Sequence, residues 1–213
     1  MTYLFLTFAI LYLILLIQSF RFLPSSARVW FLRALMISLM YDNMVVGLGT
    51  QLQEAGTLPF FSYGRVCLHA TVLPFLSFFT FSTLKTYKTE STVLMPLGLL
   101  LTGAALYYGV THEIMGLTMD TKTVLGITRM VDNSGIPPIA TIATNFITIG
   151  AAVMIWRAAG SKFLLYGAGF IFIINGATAT LEWGFAAGAC AEVIFLLSLL
   201  RTEKATLTRK TSE

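Results

Sequence analysis

The sequence predicts an all-α, polytopic transmembrane bundle of seven helices, with six as the alternative count. The N-terminus is expected outside and the C-terminus in the cytoplasm. Three observations carry this reading. Hydrophobic residues make up 56% of the 213 and charged residues only 11%, where soluble domains carry roughly 25% charged residues. Seven apolar segments each approach the ~20 residues that cross a hydrocarbon core. The basic residues alternate from side to side along the chain.

The apolar segments fall at 3–20, 29–50, 65–84, 93–111, 137–156, 162–179 and 181–200. The first lacks the basic stretch that opens a signal peptide, so it is expected to stay as a helix. The last two are separated only by "TATLEW", which predicts two short helices and a tight turn. Residues 1–200 form one membrane domain, and 201–213 read as a polar cytoplasmic tail. Cys67 and Cys190 lie in apolar runs with no CxxC spacing and read as buried thiols.

Orientation follows from Lys and Arg. Arg21, Arg28, Arg33, Lys85, Lys88, Arg157, Lys162, Arg201, Lys204, Arg209 and Lys210 gather on one side, whereas Arg65, Lys122 and Arg129 lie on the other. The richer side is cytoplasmic by the positive-inside rule. A bacterial-type inner membrane is the expected location. The net charge of +4 is spread over helix ends. It makes no nucleic-acid footprint, and the partner it implies is the lipid bilayer.

The longest connection, 111–136, is expected on the outer side. Asp120 is a candidate N-cap, and Val124, Leu125, Thr128 and Val131 have the spacing of one helical face. The segment reads as a short interfacial helix or a plain loop. "SGIPP" then starts the fifth spanning helix, with its prolines in the first turn.

The polar residues inside this apolar chain are the candidates for function. "LMYDNMVVG" places Asp42 and Asn43 in the outer half of the second helix. A charged side chain at bilayer depth costs at least ~2.5–3.5 kcal/mol on insertion scales, so it needs a partner, a cavity or a proton. In "RVCLHAT", Arg65 and His69 are four residues apart and share one helix face. His112, Glu113 and Glu182 are expected at the same depth. Glu192, in the middle of the last helix, has no cation in view and needs a proton or a polar cavity. Gly184, Ala186, Ala187, Gly188 and Ala189 before it suit close helix approach. Asn145 and Asn175 read as buried amides.

Each feature also has a structural reading. Asp42 and Arg65 suit an internal ion pair, and His69 suits a neutral core histidine. His112–Glu113 suits a solvated helix end, and the amides suit interhelical hydrogen bonds.

Seven helices with an outside N-terminus match the microbial rhodopsin layout. None of the six lysines lies within a helix core, however, so no retinal Schiff base is expected. No hydrolase, nucleotide-binding or redox motif occurs.

The reading that fits best is a carrier for a small solute or lipophilic molecule, proton-coupled through Asp42, His69 and Glu192. An intramembrane lipid-modifying enzyme is the alternative, using acid–base chemistry or a metal held by Asp42, His69, His112 and Glu182. A haem or quinone protein with His69 and His112 as axial ligands comes third, beside an accessory membrane subunit. Substrate and oligomeric state are not encoded in any motif.

Overall fold

The computed structural model describes residues 1–88 and 90–210, the side chain of Lys210 excepted. Six of its helices are long and apolar enough to cross a membrane, and a shorter apolar helix of 16 residues makes the seventh. The protein is an all-α integral membrane bundle with one small antiparallel hairpin at one end.

The first two helices, α1 (Thr2–Phe22) and α2 (Ala27–Gly47), form an antiparallel pair. Ser26 starts α2 by accepting a 3.2 Å bond from the Val29 amide. Arg33, buried within α2, donates to the Ser19 and Leu23 carbonyls at 3.1 and 3.4 Å. It thereby adds a second donor to the Ser19 carbonyl, which already accepts from the Leu23 amide, and serves the Leu23 carbonyl at the end of α1. Phe20 and Trp30 stack on its guanidinium. An arginine that counts as a connection charge in the sequence is thus a buried helix cap.

A short helix, α3 (Gly49–Glu54), leads to α4 (Leu58–Val72) and α5 (Phe75–Tyr87), which together make one span of 30 residues. The break between them falls at Leu73–Pro74. Proline has no N–H for the helix ladder, yet Leu73 and Pro74 keep right-handed helical angles. The span is therefore interrupted without unwinding. The next span is α6 (Leu94–Tyr108), prolonged by a π-helical turn over Gly109–Ile114.

The connection expected on the outer side, read as a short interfacial helix or a plain loop, contains a β-hairpin instead: β1 (Met119–Val124) pairs with β2 (Ile127–Asp132). Leu125 and Gly126 both have positive φ, 53° and 77°, the pattern of the tight turn that matches strand twist. Threonine, valine and isoleucine on both sides suit strands. The hairpin is anchored where the Thr128 amide donates to Thr50 Oγ1 at 3.3 Å. Gly49 packs directly under the Thr128 carbonyl, with no room for a side chain.

The bundle closes with α7 (Ile139–Ala159), α8 (Phe163–Thr178) and α9 (Gly184–Lys210). Pro138 is the N-cap of α7, so both prolines precede that helix instead of lying in its first turn. The polar tail expected from residue 201 is instead the last turns of α9. Thr202, Glu203 and Thr206 are buried there. Residues 211–213 of that expected tail lie outside the described residues. The expected burial of the thiols is also not met: Cys190 is exposed and Cys67 half-buried, and both are free.

Two cores hold the helices together. The larger includes Tyr12, Leu32, Met36, Leu76, Phe79, Leu84, Ile155 and Leu196. The smaller lies at the hairpin end and joins Phe5, Val46, Ile127, Ala186 and Ala189. Large apolar side chains such as Tyr3, Phe60 and Leu100 stay exposed, as a lipid-facing surface requires.

Candidate functional site

The site forms at the hairpin end, where α2, α4 and α9 each carry ionisable residues inward. On α4, the four-residue spacing puts Arg65 and His69 on one face. Arg65 Nε meets Asp42 Oδ1 of α2 at 2.9 Å. His69 lies between two carboxylates. Its Nδ1 is 3.9 Å from Asp42 Oδ1, and its Nε2 is 3.9 Å from Glu192 Oε1 of α9. Both separations are ion-pair distances, longer than a hydrogen bond. A neutral imidazole donates to one carboxylate only, and an imidazolium to both. Glu192, for which the sequence requires a proton or a polar cavity, lines the cavity and has His69 as an ionisable neighbour.

These four side chains face a cavity of about 540 Å³. They retain between 17% and 32% of their side-chain exposure, so the cavity reaches them. Phe5, Val46, Leu117 and Phe185 supply apolar wall. Gly184 and Gly188 of α9 also line it. A methyl on Gly188 would come within 3.0 Å of Asn175 Oδ1. Gly188, one turn before Glu192, thus permits the close approach of α8 to α9.

Two wall residues come from the hairpin, Arg129 and Asp132. The guanidinium of Arg129 lies 4.4 Å over the Phe185 ring. Burial pushes its pKa below the ordinary arginine value. Arg65 adds to that shift and Asp42 opposes it. In the sequence Arg129 counts only as a loop charge, and the alternation of β2 was the signal available for its inward reach. Asp132 accepts from the Ser134 amide and hydroxyl at 2.8 and 2.9 Å.

The other expected residues divide. Glu113 lines the cavity, but its carboxylate accepts from the Ala140 amide at 3.0 Å and so caps α7. Asn175 borders the cavity and is exposed, not buried as expected. Asn43, one residue and about 100° of helix from Asp42, is fully buried and donates to the Leu39 carbonyl at 2.8 Å. Asn145 is half-buried away from the cavity lining.

His112 is exposed, stacked on Tyr108 with ring centres 4.5 Å apart. Glu182 is exposed in the α8–α9 turn. Neither reaches the cavity, so the set Asp42, His69, His112 and Glu182 does not converge on a metal. Among the described residues no group of three His, Cys, Asp or Glu side chains has that geometry. The pair His69 and His112 is likewise not assembled as axial ligands.

A second polar site, missed in the sequence, lies at the opposite, basic end. Arg28 is gripped by Glu203 of α9 through two hydrogen bonds, 2.7 and 3.1 Å, and also donates to Thr86 of α5 at 3.2 Å. Glu203 is fully buried.

No family model matches the chain, and no curated protein or solved structure matches it.

Proposed function

We propose that this integral membrane protein is a proton-coupled carrier for a small or amphiphilic solute. In this reading the hairpin end faces outward. One observation carries it: His69, at depth in the bundle, presents each ring nitrogen to a carboxylate on a different helix. Such an imidazole takes a proton on one nitrogen and releases one from the other, so a proton passes between Asp42 and Glu192. Ionisable groups at membrane depth on separate helices are what proton-coupled movement requires.

Two helix irregularities support the motion. The Leu73–Pro74 break begins one turn beyond His69. The π turn packs against the same stretch of α4, with Gly109 close to the Ala70 carbonyl. Interrupted ladders of this kind are where spans bend.

Reconstituted vesicles carrying a pH gradient test the reading. They are exposed to a metabolite extract, and their contents are compared by mass spectrometry with those of protein-free vesicles. A carrier accumulates at least one species only while the gradient lasts, and His69→Gln abolishes it. Accumulation that ignores the gradient contradicts proton coupling.

A second reading, an intramembrane acid–base enzyme acting on lipid, is favoured by the basic end. There the larger core and the buried Arg28–Glu203 pair fill the bundle. A site open at one end suits chemistry as well as transport. New lipid species formed in vesicles without any gradient would select this alternative.

A further inference from the structure

The charged groups of the cavity are unevenly paired. Asp42 has Arg65, and Glu192 has His69. Glu113 is held by the Ala140 amide, and Asp132 by Ser134. Three acids on the wall thus have a protein donor or cation at bonding distance, whereas Glu192 has His69 at 3.9 Å and an unpartnered Oε2. Arg129 differs. No carboxylate lies within ion-pair distance of it among the described residues, and its Nε, like Arg65 Nη1, has no hydrogen-bond partner. Its guanidinium is partly withdrawn from water and rests on the Phe185 ring.

We propose that Arg129, assisted by Arg65, is the anion-binding element of this cavity, and that the ligand carries an oxyanion, phosphate or carboxylate, on an apolar body. The proposal names the ligand class of the carrier site and rests on that reading. The chemistry is direct. A planar guanidinium offers a fork of donors that matches a carboxylate or phosphate edge. Both guanidiniums line the same cavity; Asp42 offsets the charge of Arg65, and an anion at Arg129 supplies the anionic partner that Arg129 lacks. Phe5, Val46 and Leu117 offer apolar surface to the remainder of the ligand. A cavity of about 540 Å³ is within the ~300–1,000 Å³ of small-molecule sites.

Placement on the hairpin adds to the argument. Ile127, two residues before Arg129, is buried in the small core beside Phe5 and Val46. Thr128 is bonded to α3. Arg129 is thus held at the cavity by neighbours on both strand faces. Lys122 is its partner across the hairpin and is exposed, which supplies a charge control on the same element.

The test is equilibrium binding to the full chain in nanodiscs of neutral lipid, with empty nanodiscs as the blank and ionic strength fixed. The probes are octyl phosphate, octanoate and inorganic phosphate. Saturable binding of octyl phosphate or octanoate to wild type is expected. Arg129→Gln should weaken it about 10- to 100-fold, the range of a charge-assisted hydrogen bond. Arg129→Lys should fall between, and Lys122→Gln should match wild type.

If inorganic phosphate competes as well as octyl phosphate, the ligand is a free oxyanion; if it fails to compete, the oxyanion belongs to an amphiphile. Absence of saturable binding for all three probes overturns the proposal. So does equal binding in Arg129→Gln, or equal weakening in Lys122→Gln. Binding needs no gradient, so loss of the anion site and loss of proton coupling are separate results.

Discussion

Arg28 and Glu203 meet through two hydrogen bonds, 2.7 and 3.1 Å long, although 175 residues separate them in the chain. The pair ties α2 to α9 at the basic end, and the Thr86 hydroxyl extends it to α5. Asp42 and Arg65 form a shorter-range pair at the other end, but theirs is reached by the cavity. The two pairs therefore predict different responses to the loss of one partner.

Glu203→Ala should destabilise the fold by about 3–5 kcal/mol, because it strands a buried guanidinium. The combined change Arg28→Met with Glu203→Leu should recover most of that loss. Chemical denaturation in detergent measures both. Asp42→Asn should cost less, because its partner keeps access to the cavity and to water. A larger loss in Asp42→Asn than in Glu203→Ala would contradict this ordering.

Orientation has its own test. A reporter active only in the cytoplasm should work when fused after Glu213 and fail when inserted between Gly126 and Ile127. The reverse pattern would place the cavity and Arg129 on the cytoplasmic side.

The hairpin makes a third prediction. Gly49→Ala forces a methyl into the Thr128 carbonyl and should cost about 1–3 kcal/mol, with faster proteolysis between residues 119 and 132. Leu125 is exposed and holds a φ of 53°. Asparagine tolerates that backbone better, so Leu125→Asn should leave stability equal or higher. Thermal unfolding followed by limited proteolysis reads both effects.

The seven helices were legible because each is a predominantly apolar run, and the bilayer leaves few other structures for such a run; α9, expected to be short, instead runs 27 residues. Asp42, Arg65, His69 and Glu192 were legible as polar residues at membrane depth. Depth, however, fixes one coordinate of three. His112 and Glu182 were expected at the depth of Asp42, yet neither reaches the cavity: His112 stacks on Tyr108, and Glu182 lies in the turn between α8 and α9.

The hairpin was misread for a different reason. Val124, Leu125, Thr128 and Val131 satisfy helical spacing, while the Leu125–Gly126 turn and the β-branched flanks favour strands. Tertiary anchoring at Thr50 and Ile127 accompanies the strand form. Glu203 looked like a tail charge because its partner, Arg28, looked like a loop charge. Their contact spans nearly the whole chain and has no local signature.

If His69 relays protons between Asp42 and Glu192, Glu192→Gln is the decisive variant. Glutamine keeps the shape of the side chain but cannot lose and regain a proton. The variant should unfold within about 1 kcal/mol of wild type, as expected away from packing or buried-pair defects. Its gradient-driven accumulation in vesicles should fall by at least ~100-fold, the lower range for losing a positioned proton-transfer group. Wild-type accumulation in Glu192→Gln, with equal protein in the vesicles, would contradict a relay through His69.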